Sequence, residues 1–374
     1  MHVAQVNFLP APQGLGAAEV LAQWPSLADI PEAVAEAGTR VSVVQAATHN
    51  EHLVRGGVDY HFIDLGHAAT AVHRGLAFAN MLDDLRVDVL HVHGLGFAED
   101  AYAVSRHLPC APILFQDHAD RPPRWWRRPR WRQWYASAAG VAFTAAELAQ
   151  PFTRAAMFGP RTRLFAIPEA SCRFALGERA QARAETGLYG DPCVVWVGHL
   201  NAGKDPLCVL DGVALAASRL PGLQLWCAFG SAPLLADVQR RMARDPWLAC
   251  RVHLLGTVAH AQIEALMQAA DCFVSGSHAE SCGYALLEAM ACGAWPIVTD
   301  IPSFRTLTDD GRMGALWACG NPTQLAEALV RSAAVPPSPK QIRAHFDARL
   351  SFSAVGRQWA HAYAQLLDSP RRSP

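Results

Sequence analysis

Lysine is almost absent from this chain of 374 residues: among 32 basic side chains, only Lys204 and Lys340 are lysines. The chain also lacks a surplus of either charge, because 33 acidic residues offset the basic ones and leave a net charge of −1. A broad surface for nucleic acid or another polyanion is therefore excluded, whereas a local basic patch is not. In so lysine-poor a chain, each lysine is a candidate functional residue.

Three further patterns are missing. No pair of the ten cysteines has the C-x-x-C spacing, and most cysteines lie in apolar runs, as Cys193 does. This distribution is typical of free thiols in a reducing cytoplasm and argues against disulfides and a zinc site. The sequence also has no run of 18 apolar residues and no basic segment before its first apolar stretch. We therefore expect neither a membrane-spanning helix nor a signal peptide.

Short β-rich runs alternate with helical segments over two long stretches, which a polar segment at residues 171–191 separates. The predicted strands lie at 3–9, 41–46, 60–65, 87–93, 113–116, 141–144 and 164–167, then at 194–197, 223–228, 252–255, 272–275, 295–298 and 315–317. Since 51% of the residues are hydrophobic, the chain can fill two cores. The alternation predicts two facing Rossmann-like α/β domains over residues 1–187 and 188–350, with a last helix in residues 351–374. Ligands of such sheets bind at the carboxyl ends of the strands, so we expect the site in the cleft between the domains.

The densest polar signal lies at residues 277–293. A predicted strand leads there into a loop of small residues and then into a helix that begins near Gly283, whose N-terminal N–H groups suit a phosphate. Glu280 and Glu288 flank this helix start. If the span between them were helical, they would lie about 12 Å apart, too far for the roughly 5 Å carboxylate pair of a retaining glycosidase. Each glutamate is therefore expected to hold a different part of one long ligand.

This pattern resembles the E-x7-E motif of the retaining, GT-B-fold glycosyltransferases of family 4, including the Glu-Ala-Met-Ala-Cys-Gly run at 288–293. The segment Trp-Val-Gly-His-Leu-Asn-Ala-Gly-Lys at 196–204 is similar to that family's strand-Gly-Arg-Leu-x-x-x-Lys segment, and about residues 193–330 match in order. The resemblance implies a GT-B fold whose C-terminal helix returns to the first domain. It also implies transfer of a sugar from a UDP- or GDP-linked donor to an acceptor hydroxyl of a glycan, glycolipid or similar molecule, without a cofactor or metal ion.

The resemblance also assigns roles to residues of the second domain. Lys204 would bind the donor diphosphate, Glu288 the ribose hydroxyls and Glu280 the donor sugar. The backbone of one short segment would cap the diphosphate, namely Cys282, Gly283, Tyr284 and Ala285. His199 is a further donor-binding candidate, but it stands where the family usually has Arg, which lowers the fixed positive charge on the diphosphate.

In the first domain, Gly16 belongs to a Gly-Leu-Gly turn after the first strand that resembles the family's loop near the donor phosphate. Glu19 replaces the third glycine of a G-x-G-x-x-G pattern, so a nicotinamide or flavin site is not expected. His118 follows the strand at 113–116 and resembles the family's histidine at the reaction centre. We take it as a candidate catalytic residue, together with Glu280 and Lys204. Glu169 stands where the family often has Asn and is either structural or lines the cleft.

Histidines 91 and 93 could instead bind a metal ion together with three further side chains, Asp117, His118 and Asp120. The His-Val-His segment, however, lacks the Asp and His that follow in metallo-β-lactamase-type hydrolases. We therefore expect no metal site.

Six arginines and four tryptophans, with no acidic residue, lie within residues 121–135, directly after His118. The candidate contacts in this patch are Arg124, Trp125, Trp126, Arg127, Arg128 and Trp131. Arginine and tryptophan together suit a membrane interface with anionic lipid, or a lipid-linked or anionic acceptor. The alternatives are a surface helix whose tryptophans pack on the domain and, less expected, a nucleic-acid surface.

Two other functions stay open for a chain of this pattern. A nucleotide-sugar epimerase would turn the donor over without an acceptor, and a catalytically silent subunit would bind nucleotide weakly or not at all. We expect the protein in the cytoplasm, with peripheral contact at the inner face of the membrane through residues 121–135.

Overall fold

The structure is a computed structural model that describes residues 1–66, 70–335 and 338–368. The chain folds into two compact units. Unit 1 comprises Met1–Ala170 together with the C-terminal segment that begins at Phe352, and unit 2 comprises Ser171–Ser351.

Unit 1 is built on one eight-stranded sheet with the strand order β3-β4-β2-β1-β5-β6-β7-β8. Among the described strands of this sheet, only the β3–β4 pairing is antiparallel. The strands are β1 (His2–Asn7), β2 (Arg40–Ala47), β3 (Glu51–Arg55), β4 (Val58–Asp64), β5 (Val89–His93), β6 (Ile113–Gln116), β7 (Ala138–Phe143) and β8 (Arg163–Ala166). The helices are α1 (Ala17–Gln23), α2 (Ser26–Glu36), α3 (Ala71–Asp84), α4 (Ala98–Ser105), α5 (Arg128–Tyr135), α6 (Gln150–Arg154) and, at the C-terminal end, α16 (Phe352–Leu367).

Unit 2 carries a six-stranded parallel sheet with the order β11-β10-β9-β12-β13-β14. Its strands are β9 (Cys193–Gly198), β10 (Gln224–Phe229), β11 (Val252–Gly256), β12 (Cys272–Ser275), β13 (Trp295–Thr299) and β14 (Ala315–Trp317). Its helices are α7 (Arg179–Thr186), α8 (Pro206–Ala217), α9 (Leu235–Ala243), α10 (Pro246–Ala249), α11 (His260–Ala269), α12 (Tyr284–Ala291), α13 (Pro302–Leu307), α14 (Pro322–Ala334) and α15 (Pro339–Arg349).

The boundary between the units lies between Ala170 and Ser171, earlier than the predicted boundary at 187/188. The physical reason is α7, which packs against α11 and whose Arg183 forms an ion pair with Asp271 at 2.7 Å. The polar segment taken for a linker is therefore the first part of unit 2. Residues 369–374 of the predicted C-terminal segment lie outside the described residues.

Both sheets reverse their winding direction at one point, between β1 and β5 in unit 1 and between β9 and β12 in unit 2. In open α/β sheets the loops at the carboxyl ends of such strands diverge and leave a crevice, where ligands bind. Inner strands such as β2, β6, β12 and β13 are buried along nearly their whole length, as parallel strands covered on both faces require. The strand order therefore marks one candidate site in each unit before any side chain is considered.

The helix α16 completes the core of unit 1. It packs against α2, and its Trp359 and Tyr363 are fully buried. Gly356 makes the close approach of the two helices feasible, because a Cβ at this position would lie 2.1 Å from the carbonyl oxygen of Ala33. In the described part of the chain, no helix combines the length and the apolarity that crossing a bilayer requires.

Replacing Gly356 with alanine is expected to destabilise unit 1 by about 2 kcal/mol, because backbone atoms of α2 cannot yield as a flexible side chain would. The better helix propensity of alanine offsets this by less than about 1 kcal/mol. The control is Gly159→Ala, whose new Cβ would meet only Thr162 Oγ1, at 3.7 Å. Thermal unfolding of the full chain should show a Tm lower by several degrees for Gly356→Ala alone. Equal Tm values for both variants would contradict the packing of α16 on α2.

Candidate functional site

Two loops meet at the switch point of unit 2, one after β9 and one after β12. Lys204 lies in the first loop and Glu280 in the second, and Nζ of the lysine forms an ion pair with Oε1 of the glutamate. Both side chains are largely shielded from solvent, with exposed fractions of 28% and 17%. The structure thus brings together two residues that the sequence separates by 76 positions. Glu280 lies in the loop and not in a helix, so the separation of 12 Å expected for a continuous helix does not apply.

A second pair holds the same two loops together. His278 Nε2 lies 2.9 Å from Asp205 Oδ2, and the backbone N–H of His278 donates to the carbonyl of Gly203 at 2.9 Å. Gly276 permits this close approach, because a Cβ there would lie 3.0 Å from the carbonyl oxygen of Lys204. Asp205, Gly276 and His278 were not among the residues predicted from the sequence. The only local signal for them was the position of a glycine immediately after a strand.

The helix α12 begins beside this pair, as the sequence predicts. Its N-cap, Gly283, has a φ of +72°, and a Cβ there would lie 2.9 Å from a ring carbon of Phe304, so only glycine fits without strain. Cys282 is buried, whereas Tyr284 is half exposed. The first N–H groups of a helix have no acceptor within it and carry the positive end of the helix dipole. This helix start, which includes Ala285, therefore suits an anion beside Lys204.

Glu288 lies in α12 and is nearly buried. Its Oε1 accepts a hydrogen bond of 2.9 Å from Nε2 of His260, an exposed side chain at the start of α11. Burial raises the pKa of the Glu288 carboxyl, and the hydrogen bond from His260 opposes the rise. The structure thus pairs Glu288 with His260, which no sequence pattern indicated, and not with Glu280. A ligand hydroxyl that bonds to this carboxylate would either share it with His260 or take the place of His260.

His199 lies at the carboxyl end of β9. Its Nδ1 accepts a hydrogen bond of 3.1 Å from the backbone N–H of Ser231. An imidazole nitrogen that accepts from a backbone N–H carries no proton itself, so Nε2 is the ring nitrogen that can donate to a ligand. In this arrangement His199 offers one hydrogen-bond donor and no fixed positive charge, unlike an arginine.

In unit 1, His118 follows β6 and lies in a row of polar side chains. Its Nδ1 lies 2.5 Å from Oε1 of Glu169, and its Nε2 lies 3.4 Å from Nδ1 of His93. His93 in turn bonds through Nε2 to Oε1 of Gln5 at 2.9 Å. The structure therefore brings His118 together with Glu169, which the sequence left as either structural or lining the cleft, and with His93 at the end of β5.

The two histidines of β5, His91 and His93, stack on each other with ring centroids 4.5 Å apart. His91 is fully buried, and its Nδ1 bonds to the hydroxyl of Tyr363 at 2.7 Å. Asp120 accepts hydrogen bonds from the backbone N–H groups of Leu95 and His118. The side chains weighed as metal ligands are thus used within the fold. Across residues 1–66, 70–335 and 338–368, no group of three or more His, Cys, Asp or Glu side chains is arranged to hold a metal ion.

Gly16 is the N-cap of α1, and the predicted glycine turn is present with Gly14 at a φ of +79°. The N–H of Gly16 donates to Glu19 Oε2 at 2.8 Å, and the N–H of Ala17 donates to Glu51 Oε2 at 2.7 Å. Two carboxylates therefore occupy the start of α1, where the resemblance implies a phosphate. A donor phosphate would have to displace them to reach Gly16.

The Arg/Trp patch of residues 121–135 divides into two halves. Trp131, Trp134 and Tyr135 of α5 pack on the core of unit 1, and Arg128 Nε donates to the carbonyl of Pro123 at 3.2 Å. The other half is exposed and consists of Arg124, Trp125, Trp126 and Arg127, hereafter the exposed face. Trp125 and Trp126 are 73% and 53% exposed. The alternative that the tryptophans pack on the domain thus holds for α5 and not for the exposed face.

Comparisons with known proteins agree with this geometry. Residues 191–334 match the family model of the glycosyl transferases group 1. The D-inositol 3-phosphate glycosyltransferase of Nocardia farcinica is 29% identical over 217 residues, which are 56% of this chain and 47% of that protein. The corresponding protein of Mycobacterium tuberculosis is 32% identical over 207 residues, or 54% and 41%. The match therefore spans about half the length of these curated relatives.

Solved structures resemble the whole chain. A glycosyltransferase from Rickettsia africae has a TM-score of 0.72 at 12% identity and covers 99% of both chains. Anabaena HepE, solved in complex with UDP, has a TM-score of 0.71 at 16% identity, with 98% of this chain and 100% of that chain covered. These likenesses confirm the predicted fold, two α/β domains of the GT-B type. The resemblance to family 4 is thus confirmed through the group 1 glycosyl transferase domain at residues 191–334, and the whole chain has the GT-B fold.

Proposed function

We propose that this chain is a retaining glycosyltransferase that moves a sugar from a nucleoside diphosphate-sugar to an acceptor hydroxyl. The observation that carries the proposal is the pairing of Lys204 with Glu280 beside the N-terminus of α12, at the switch point of unit 2. A cation, a carboxylate and a helix N-terminus there fit a diphosphate and the hydroxyls of its sugar. Anabaena HepE, which shares the fold, has been solved with UDP and with UDP-glucose, which supports a UDP-linked donor over a GDP-linked one.

Each residue of the unit 2 site has a proposed role. Lys204 and the start of α12 offset the charge that develops on the departing diphosphate, which is the largest contribution such a site makes to catalysis. The buried carboxylate of Glu288 accepts hydrogen bonds from the ribose hydroxyls, and Glu280 holds a hydroxyl of the sugar. Because cationic and dipolar groups stabilise the leaving group, we propose that no metal ion is required.

The stereochemical proposal follows from the pairing of the two carboxylates. Glu280 is paired with Lys204 and Glu288 with His260, so neither is offered as a nucleophile. We therefore propose that the acceptor hydroxyl attacks from the side of the leaving group. An oxygen of the departing diphosphate takes the proton of the acceptor hydroxyl. At the same time the bond between the sugar and the diphosphate breaks, and the glycosidic bond to the acceptor forms. Attack from that side retains the configuration of the sugar.

The test uses the full chain with UDP and GDP in thermal unfolding, since a ligand that binds only the folded state raises the Tm. UDP-glucose and GDP-mannose are then supplied with inositol 3-phosphate, because the curated relatives are named for D-inositol 3-phosphate. A product with the anomeric configuration of the donor, identified by NMR, supports the proposal. An isomerised nucleotide-sugar formed without an acceptor indicates an epimerase instead. No Tm shift and no turnover with either donor indicates a silent subunit.

We further propose that the exposed face is the acceptor side of unit 1 and contacts an anionic membrane surface, which places the enzyme at the inner face of the membrane. A cavity of about 550 Å³ lies against this face, among Arg121, Pro122, Pro123, Arg124, Trp126, Arg127 and Trp131. Guanidinium groups complement the negative charge of anionic headgroups, and exposed indole rings favour the depth at which headgroups lie.

The double variant Arg124→Ala/Arg127→Ala is expected to bind phosphatidylglycerol-containing vesicles about 30-fold more weakly, since each arginine near such a surface contributes about 1 kcal/mol. Co-sedimentation with these vesicles and with pure phosphatidylcholine vesicles measures the effect. Arg154→Ala/Arg161→Ala, which removes two exposed arginines elsewhere on unit 1, is the matched control. Equal binding to both kinds of vesicle, or equal loss in both variants, would show that the exposed face does not recognise anionic lipid.

A further inference from the structure

Glu169 and His118 meet at the carboxyl end of the unit 1 sheet, on either side of β7. His118 follows β6, Glu169 follows β8, and the hydrogen bond of 2.5 Å joins Nδ1 of the histidine to Oε1 of the carboxyl group. A carboxylate oxygen can only accept a hydrogen bond, so the proton lies between Nδ1 and Oε1.

The position of Glu169 is fixed by its main chain. Its N–H donates to Thr144 Oγ1 at 3.3 Å, and its carbonyl oxygen accepts from Gln116 Nε2 at 3.0 Å. Its second carboxyl oxygen, Oε2, is buried and has no hydrogen-bond partner among the described residues. A buried carboxylate with one oxygen unsatisfied is costly unless a cation offsets it. His118 is the residue paired with it.

The other side of His118 determines its second proton. The Oε1 of Gln5 is an acceptor, so the proton of His93 lies on Nε2, where it donates to Gln5 at 2.9 Å. Nδ1 of His93 is then unprotonated and accepts from Nε2 of His118, at 3.4 Å. With one proton on Nε2 and another between Nδ1 and Glu169, His118 is an imidazolium.

The surrounding charges agree with this assignment. Burial acts to lower the pKa of His118, but the hydrogen bond and charge of Glu169, with the carboxylates of Asp120 and Asp117, outweigh it and raise the pKa. Burial lowers the pKa of His91 to about 3 and holds that of His93 well below its usual value, so both stay neutral beside the imidazolium. Burial also raises the pKa of Asp117 to about 6.

We propose that Glu169 is a positioning residue that keeps His118 doubly protonated, so that the Nε2–H serves as a charge-assisted donor to an oxygen of the substrate. The bond from Nε2–H to His93 is long, and a sugar or phosphate oxygen is a better acceptor than an imidazole nitrogen at that distance. No proton leaves His118 in this role, and the histidine is not a base. This inference rests on the proposed glycosyl transfer.

NMR titration of the His118 ring in the full chain tests the assignment directly, with His118→Gln identifying its signal. Glu169→Gln keeps the size of the side chain but removes its charge, so the midpoint of His118 should move to lower pH. Glu147→Gln, at an exposed glutamate of unit 1, is the matched control and should leave it unchanged. Because the raised pKa preserves the imidazolium up to higher pH, kcat of Glu169→Gln should begin to fall at lower pH than in the unchanged chain. Above neutrality kcat should be about tenfold lower, with little change in KM. Glu169→Asp should restore part of the shift.

An unchanged titration midpoint in Glu169→Gln overturns the inference. A moved midpoint with an unmoved pH profile of kcat overturns the role in the reaction. Failure of every donor to react would refute the proposed glycosyl transfer. Because the titration needs no substrate, it would still show whether Glu169 raises the pKa of His118.

Discussion

Lys204→Ala is expected to lower kcat/KM for sugar transfer by about 1,000-fold, whereas Lys340→Ala should leave it unchanged. Removing a single preorganised donor from a site of developing negative charge costs about 100- to 1,000-fold in other enzymes, and Lys204 carries a full charge. Lys340 is exposed in α15. The chain thus supplies its own matched control, since these two residues are its only lysines.

The large effect depends on how the lysine is held. The backbone N–H of Lys204 donates to Asn201 Oδ1 at 3.0 Å, and the loop after β12 packs against its carbonyl through Gly276. Its ammonium group is in turn held by the carboxylate of Glu280, so the side chain is ordered before the donor binds. Lys204→Arg should retain part of the activity, because a guanidinium keeps the charge but has a different shape.

Steady-state kinetics with the donor identified by thermal unfolding measure the effect. Lys204→Ala leaves Glu280 without its cation in a shielded position, so the Tm of each variant must be compared as well. A loss of activity that follows the loss of folded protein would make Lys204 structural. Equal kcat/KM for the two lysine variants would remove the unit 2 site from the proposal.

Much of unit 2 could be predicted because its sequence signals are local. The strands β12 and β14 have the predicted bounds, and α12 begins where predicted, directly after Gly283. Apolar runs of four to six residues and caps such as Asn321, whose side chain accepts from the N–H of Gln324, follow from neighbouring residues alone.

The strand β3 could not be predicted from its own residues. It is short, polar and mostly exposed, and its stability comes from antiparallel pairing with β4 across Gly56 and Gly57 and not from burial. Its first residue, Glu51, reaches the start of α1, a contact that no local pattern indicates.

The unit 1 site also depends on contacts that no local sequence pattern indicates. His118 stands out by its position after a strand, but its partners Glu169 and His93 lie 51 and 25 residues away. Gln5 contacts Tyr363 across 358 residues of sequence. Thr144 resembles a helix cap in sequence, yet its hydroxyl accepts from the N–H of Glu169. Such contacts arise from the strand order, which periodicity alone does not determine.

Glu280→Gln should separate binding from chemistry. Without ligand, the ammonium of Lys204 is held by this carboxylate, and a diphosphate must compete for it. A glutamine of the same size no longer neutralises the lysine or repels the incoming anion, so UDP alone should bind several-fold more tightly. The glutamine makes only a neutral hydrogen bond to the sugar, so transfer should fall about 100-fold.

Isothermal titration with UDP and steady-state transfer assays measure the two effects on one variant. Glu327→Gln is the control, because Glu327 also pairs with a basic residue, Arg219, at 2.8 Å, but on the exposed surface of unit 2. It should change neither quantity. Opposite changes in UDP affinity and turnover can arise only if Glu280 competes for Lys204 before binding and contacts the sugar afterwards. If UDP affinity and turnover fell together in Glu280→Gln, the carboxylate would serve to hold the two loops in place, and the contact with the donor sugar would have to be assigned to another residue.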